Sequence, residues 1–284
     1  MVNGAASTIG QAIAERFARE GATVVGADKD AHAVGELAVH ADLAEESQVA
    51  SMYEQVVARY GRLDVIYNNM GLMDRSDRSA LDTSLDTWRR VYDANLTSVF
   101  LCCKHGIKHL LATSPAGGSV INAASFLAEI GAATAQMGYA SAKAAVVQLS
   151  RDLGVQLARS GVRVNAVLFG PIDTPDQRAV FDHHPGALDK RLVHWPMGRF
   201  GTLAEAAGTI AFLASDDSGF ITAAALPLDG GITEAFTVPE LELAAPATRR
   251  GLGVRGCAAP WFGRGSTRWW SHPGSAPASS PSGG

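Results

Sequence analysis

Tyr139 and Lys143 are four positions apart in the stretch YASAK, a spacing that can support proton transfer. On a helix, residues at i and i+4 lie on the same face, one turn apart. A free tyrosine titrates near pH ~10, and a lysine ammonium beside it favours the phenolate and lowers that pKa. We therefore expect Tyr139 to act as a general acid and base near neutral pH, with Lys143 lowering its pKa.

A glycine-rich turn, NGAASTIG at residues 3–10, precedes an amphipathic helix and indicates a nucleotide site. Backbone N–H groups of such a turn and the following helix N-terminus bind a pyrophosphate. Asp28 ends the next apolar run. A carboxylate there accepts hydrogen bonds from both hydroxyls of an adenosine ribose and repels the additional phosphate of NADP. Lys29, beside Asp28, is the one cation that would favour the phosphate of NADP, so the sequence on balance favours NAD over NADP.

Short apolar runs alternate with longer segments of helical period, which is typical of βαβ units and a parallel sheet. The predicted strands are 23–28, 39–43, 63–69, 118–125, 162–171 and 224–231. The predicted helices include 47–60, 84–111, 139–160 and 204–215. We therefore predict an α/β fold with one domain over residues 1–238. Residues 172–200 show no clear period and are interpreted as an irregular substrate lid.

Four further stretches carry a family resemblance: NNMG (68–71), DANLTSVF around Asn95, GPIDT (170–174) and DGG (229–231). Together with the glycine turn and YASAK, they follow the order found in the classical short-chain dehydrogenase/reductase (SDR) family. The matches run from residue 2 to about residue 236. The resemblance implies a Rossmann-like, doubly wound parallel sheet in the strand order 3-2-1-4-5-6-7.

The resemblance also implies a role for each catalytic residue. Tyr139 would exchange a proton with the substrate oxygen while a hydride moves to or from a nicotinamide, and Ser125 would hold the same oxygen. Asn95 would kink its helix and hold a water that connects Lys143 to solvent. The implied activity is the NAD(H)-dependent interconversion of a secondary alcohol and a ketone.

A cofactor site is implied in the same way. Asp42 would contact the adenine and Asn69 the adenosine side, while Ile172 and Thr174 would flank the nicotinamide carboxamide. The implied cofactor-binding residues are Gly4, Ser7, Thr8, Ile9, Gly10, Asp28, Asp42, Leu43, Asn69, Gly71, Tyr139, Lys143, Pro171, Ile172 and Thr174.

The sequence departs from the family pattern at its beginning. Thr8 occupies the position at which the family pattern has its middle glycine. Only Met1 and Val2 precede the turn, where the family has a central strand. Four or five missing apolar side chains, at roughly 1.5–3 kcal/mol each, would forfeit roughly 6–15 kcal/mol. That is comparable with the whole stability of a domain, about 5–15 kcal/mol. We expect a native start upstream; a poorly folding chain, or another segment in the gap, is the alternative.

Two rival functions remain open. One is an NADP(H)-dependent 3-oxoacyl-type reductase, which activity on acyl thioesters would reveal. The other is a non-catalytic, truncated remnant that keeps the four catalytic residues but does not hold a cofactor.

Composition bears on partners and location. Three cysteines, two of them adjacent, suit neither a disulfide framework nor a metal site, and we expect no catalytic metal. The five arginines after Glu242 leave a charge of −9 on the rest of the chain, which argues against nucleic-acid binding. With no secretory signal and no apolar run of about 20 residues, we expect a cytoplasmic protein without membrane attachment.

Three further expectations concern regions outside the catalytic residues. Residues 239–284 are rich in Gly, Pro, Ser and Arg and are interpreted as disordered or foreign to the domain. By resemblance, helices 84–111 and 139–160 would join copies into a homo-oligomer, a tetramer or dimer. A largely apolar substrate pocket is suggested by Phe126, Met137, Phe169, Phe181, His194 and Trp195.

Overall fold

The computed structural model describes residues 1–235, except for 31–33, 114–116, 133 and 183–185. The expectation for the C-terminal segment 239–284 therefore lies outside the described residues. The described part contains a seven-stranded parallel sheet in the order β3-β2-β1-β4-β5-β6-β7, which confirms the predicted Rossmann-like topology. The strands are β1 Val2–Asn3, β2 Val25–Asp28, β3 Leu37–His40, β4 Val65–Asn68, β5 Gly118–Ser125, β6 Val162–Phe169 and β7 Ala225–Leu228.

Helices cover both faces of the sheet, as the apolar strands require. Residues of α1 and α8 share one buried cluster with the sheet, and residues of α2, α4 and α5 share the other. The helices are α1 Thr8–Arg19, α2 Glu46–Tyr60, α3 Leu85–Tyr92, α4 Ser98–Ala112, α5 Met137–Leu157, α6 Pro175–Asp182, α7 Ala187–Leu192 and α8 Leu203–Ala214. Within the described ranges, no helix is both long and apolar enough to cross a membrane.

Three neighbouring strands are joined inside the sheet by a ladder of amides. The register pairs Asn3 with Asn68, and Asn68 with Asn122, on β1, β4 and β5. Asn3 Nδ2 donates to Asn68 Oδ1 at 2.8 Å, and Asn68 Nδ2 donates to Asn122 Oδ1 at 2.8 Å. Asn122 Nδ2 donates in turn to Ser150 Oγ of α5. All four residues are buried, and the ladder satisfies most of their polar atoms, although Asn3 Oδ1 has no hydrogen-bond partner within the described residues. The ladder also fixes the position of the two-residue strand β1, along the strand direction, relative to its neighbours.

Two helical predictions need correction. The predicted helix 84–111 is interrupted by a π-helical turn at Asp93–Thr97, which separates α3 from α4. The predicted irregular lid 172–200 contains α6 and α7. Both are short, at eight and six residues, so their periodic signal is weak.

Candidate active site

The glycine turn joins β1 to α1 at the carboxyl edge of the sheet. Gly4 has a φ of +74°, a conformation that favours glycine. A Cβ on Gly10 would lie far inside contact distance of the Gly4 carbonyl oxygen. Ser7 is the N-cap of α1, where its Oγ accepts a hydrogen bond from Gly10 N at 3.1 Å. Thr8 is the first residue of the helix and has no positive φ, so its backbone conformation does not demand the glycine of the family pattern.

Asn69 holds this turn from the end of β4. Its Nδ2 donates to Ser7 Oγ at 2.7 Å and to the Gly4 carbonyl at 3.3 Å, while its Oδ1 accepts from the Tyr67 hydroxyl at 2.6 Å. The side-chain amide that was expected to face the adenosine is therefore engaged with protein atoms. Asn69 thus links β4 to the glycine turn, and its expected contact with the adenosine stays a prediction.

A cavity of about 760 Å³ opens beside the turn. Asp28 lies on its wall at the end of β2, and its Oδ2 accepts a hydrogen bond from Ala6 N at 3.0 Å. The cavity wall includes seven of the expected cofactor-binding residues: Gly4, Ser7, Asp28, Asp42, Leu43, Asn69 and Gly71. A helix N-terminus, with N–H groups that lack internal partners, thus adjoins a space lined by carboxylates. This combination fits a dinucleotide, with the pyrophosphate at the helix and the ribose at Asp28.

Lys143 is buried on α5 and links that helix to two strands. Its Nζ donates to the carbonyl of Met70 at 2.6 Å, after β4, and to that of Ala123 at 2.8 Å, in β5. Burial lowers the pKa of Lys143 to about 7. A Cβ on Gly71 would lie 3.9 Å from Nζ, so the lysine lies next to Gly71, a residue of the cavity wall.

Tyr139 lies one turn before Lys143, and the lysine Nζ is 5.7 Å from the centre of its ring. Burial raises the pKa of Tyr139, and the Ser125 side chain opposes that rise. Ser125 ends β5, where its Oγ also accepts from Leu127 N at 3.3 Å. The sequence led us to expect a lowered tyrosine pKa. In this structure burial outweighs the stabilisation of the phenolate.

Asn95 lies in the π-helical turn between α3 and α4, where the widened backbone produces the expected irregularity. Its Nδ2 donates to the carbonyls of Val91 at 2.8 Å and Leu72 at 3.0 Å, and its Oδ1 accepts from Leu72 N at 3.0 Å. The side chain thus fixes the segment that follows Gly71. Its expected part in a water relay to Lys143 stays a prediction.

The segment after β6 forms a separate part of the site. Ile172 is buried and pairs with Gly201, while Pro171 accepts a hydrogen bond from Gly201 N at 3.0 Å. Thr174 Oγ1 accepts from Gln177 N in the first turn of α6.

Further along, the rings of Phe181, Trp195 and Phe200 pack edge to face with centroids 5.0–6.4 Å apart. Of the expected pocket residues, Phe181 and Trp195 therefore belong to one aromatic cluster. That cluster lies in residues 172–200, the segment for which the sequence predicts a lid.

Sequence analysis missed Asp77, a buried carboxylate that accepts hydrogen bonds from the backbone of Gly138 and Tyr139. It lies in DRSDRS, a polar stretch without a periodic or motif signal. As for metals, the described residues contain no group of three or more His, Cys, Asp or Glu side chains that could hold an ion.

Comparison with known proteins adds independent evidence. A family model described as enoyl-(acyl carrier protein) reductase matches residues 4–233. The chain is 38% identical to a cis-4-hydroxycyclohexanecarboxylate dehydrogenase of Sinomonas cyclohexanicum, over 82% of this chain and 95% of that protein. It is 32% identical to a 3-oxoacyl-(acyl-carrier-protein) reductase of Thermotoga maritima, over 82% of this chain and 96% of that protein. Among solved structures, levodione reductase superposes with a TM-score of 0.76 at 30% identity, over 82% of this chain and 96% of the other.

Proposed function

The chain belongs to the short-chain dehydrogenase/reductase family, and on this premise we propose that it interconverts a secondary alcohol and a ketone with NAD(H). The observation that carries the proposal is the buried Lys143, whose Nζ lies 5.7 Å from the centre of the Tyr139 ring and is fixed by hydrogen bonds to the strand ends, close to Ser125 at the end of β5. A proton donor, an oxygen-holding group and a cation thus lie together next to a space that fits a dinucleotide.

The proton step is assigned to the Tyr139 hydroxyl. A nicotinamide, when bound, supplies or accepts the hydride. In the reducing direction Tyr139 gives its proton to the oxygen that was the ketone oxygen, and in the oxidising direction its phenolate accepts the alcohol proton. Ser125 Oγ holds the same oxygen by a hydrogen bond, so that the proton travels a short, fixed distance.

Lys143 is assigned two tasks. Its position near Tyr139 lets a protonated Nζ stabilise the phenolate that oxidation requires. Its hydrogen bonds to Met70 and Ala123 keep that charge in place between the strand ends. Because burial brings the pKa of Lys143 to about 7, the lysine can change its charge near neutral pH and take part in proton exchange.

Asp28 supports the choice of NAD over NADP. Its carboxylate ends β2 on the cavity wall, and one oxygen is held by Ala6 N of the glycine turn. A carboxylate held in this position accepts hydrogen bonds from ribose hydroxyls and repels a phosphate at the same place. Lys29 and Asp30, also on the wall, leave a negative balance around it.

We propose that the substrate carries its alcohol or ketone on an apolar, ring-shaped body. The aromatic cluster of Phe181, Trp195 and Phe200 in the lid segment offers flat apolar surface. Two similar proteins are named for compounds in this class, a hydroxycyclohexanecarboxylate and levodione. Both names are those of other proteins and serve here to choose the first compounds to test.

The decisive experiment has a cofactor arm and a turnover arm. In the first, NADH and NADPH are titrated by fluorescence into the wild type, Asp28→Asn and the control Glu36→Gln, an exposed carboxylate on the approach to β3. We expect the wild type to bind NADH at least about tenfold more tightly than NADPH. Of the two variants, only Asp28→Asn should reduce this affinity ratio, to less than about threefold.

The turnover arm tests cis-4-hydroxycyclohexanecarboxylate with NAD and levodione with NADH. Tyr139→Phe should reduce turnover by about 10²- to 10⁴-fold. Tyr60→Phe is the matched control, because its buried hydroxyl has no hydrogen-bond partner among the residues that the structure describes. Equal turnover in wild type and Tyr139→Phe would refute the assignment of the proton step.

A second candidate is the NADP(H)-dependent reduction of a 3-oxoacyl thioester. It is supported by the description of the matching family model and by the Thermotoga maritima relative. Preference for NADPH together with turnover of acetoacetyl thioesters would favour it. A wild-type chain that binds neither cofactor would favour the non-catalytic remnant.

We also propose that copies associate through α4 and α5. Both helices carry large apolar side chains on the surface of the single chain, among them Phe100 and Leu111 on α4 and Val155 on α5, which is 71% exposed. Apolar surface of this kind marks contact regions. Light scattering on wild type and Val155→Asp tests this, and a monomeric wild type would contradict it.

A further inference from the structure

Asp77 is a carboxylate in an unusual place, the loop between β4 and α3. Its residue is only 3% exposed, and a charged group so far from water needs partners. Its Oδ1 accepts from Gly138 N at 2.9 Å and its Oδ2 accepts from Tyr139 N at 2.8 Å. Both oxygens are thus directed at the backbone of one distant helix.

Those two N–H groups belong to the first turn of α5. The first N–H groups of any helix lack internal partners, and the N-cap residue of α5, Gln136, makes no side-chain capping bond. Asp77 supplies the missing acceptors from 61 and 62 positions away, and its charge is favourable at the positive end of the helix. It therefore caps α5 from another part of the fold.

Gly138 makes this close approach possible. A Cβ at this position would lie 3.2 Å from Asp77 Oδ1 and 3.3 Å from the carboxyl carbon, tighter than ordinary contact. The loop that carries Asp77 is itself fastened at two points, through Asn95 to Leu72 and through Arg90 to Asp74. The cap is thus held in place relative to the π-helical turn.

We propose that Asp77 is a positioning residue that holds Tyr139 in place for proton transfer to and from the substrate oxygen. The proposal rests on the function proposed above. Asp77 has no contact with the tyrosine hydroxyl and acts through the backbone N–H of Tyr139 and its neighbour. It does not line the cavity beside the glycine turn, so it should affect proton transfer rather than cofactor binding.

The test compares Asp77→Ala, Asp77→Asn and Asp82→Ala, a control in the same loop whose exposed carboxylate accepts from Ser79. We measure kcat with the better substrate of the panel, the Kd of NADH by fluorescence, and amide hydrogen exchange in the first turn of α5. Asp77→Ala should lower kcat by about 10- to 100-fold, with the Kd of NADH within about twofold of wild type. Exchange at residues 138 and 139 should accelerate.

Asp77→Asn keeps an acceptor oxygen but loses the charge, so its kcat should lie between those of wild type and Asp77→Ala. Asp77→Asn also tests the proposal in place of Asp77→Ala if that variant does not fold. An Asp77→Asn kcat equal to wild type, or faster exchange in Asp77→Ala without a fall in kcat, would overturn the proposal. If the wild type turns over no alcohol or ketone, the proposed function fails; hydrogen exchange still decides on the cap, and unchanged exchange in Asp77→Ala overturns it.

Discussion

Replacing Lys143 with methionine should change how stability depends on pH. Lys143 is 2% exposed, and burial lowers its pKa from 10.5 to about 7. Between these values the unfolded chain binds a proton that the folded chain has released, so the free energy of unfolding rises with pH. From pH ~7 to pH ~9.5 one such group contributes about 3 kcal/mol. Below pH ~7 the buried charge is retained and this gain is absent.

Methionine has similar length and no charge, so Lys143→Met should lack this slope. The loss of hydrogen bonds to Met70 and Ala123 shifts stability by an amount that does not depend on pH in this window, since a neutral amine still has two N–H groups for the two carbonyls. The raised pKa of Tyr139 keeps its titration above the window. The difference between wild type and variant should therefore grow by about 3 kcal/mol toward pH ~9.5.

Urea unfolding followed by circular dichroism, at several pH values without cofactor, measures this difference. Lys104→Met is the matched control, because Lys104 is exposed on α4 and pairs with Glu46 at the surface. Its stability should follow wild type in parallel across the window. Parallel curves for wild type and Lys143→Met would refute the claim that Lys143 pays a desolvation penalty in the folded chain.

Three further substitutions test residues that hold the glycine turn, the core and the amide ladder in shape. Gly10→Ala places a Cβ against the Gly4 carbonyl, so NADH affinity should fall at least about tenfold in a fluorescence titration; unchanged affinity would contradict the tight turn. Gly106→Ala forces a Cβ to within 2.9 Å of Tyr53, and overpacking should cost roughly 1–3 kcal/mol in urea unfolding, which an unchanged midpoint would disprove. Asn68→Ala leaves buried amides of the ladder unpaired, at about 1–3 kcal/mol each, and should lower the melting temperature; equal melting would show that the ladder contributes nothing.

The sheet could be predicted because its signals are local. Each strand is a short apolar run, and the family resemblance supplied the order in which strands with such signals pair. The same holds for Tyr139 and Lys143, since the i, i+4 spacing on one helix fixes their relation without any knowledge of the rest of the fold. Asn95 shows an intermediate case: the sequence indicated an irregular helix, and the structure shows that it is a π-helical turn.

What the sequence did not reveal depends on contacts between distant positions. The amide ladder requires the register of three strands, and each asparagine alone is an ordinary polar residue. Asp77 caps a helix that begins 60 positions later, so no capping motif can be read beside that helix. The expected pKa of Tyr139 differs for a related reason, because burial is a property of the folded chain, and here it raises the pKa of Tyr139 and lowers that of Lys143.

These long-range contacts converge on one short segment, residues 70–77. Met70 accepts a hydrogen bond from Lys143, Leu72 is clamped by Asn95, and Asp77 caps the helix that carries Tyr139. The same segment contributes Met70, Gly71 and Leu72 to the cavity wall. A displacement there would move Tyr139, Lys143 and the cavity wall together. Variants of residues 70–77 should therefore couple cofactor binding to turnover, except at Asp77, which does not line the cavity.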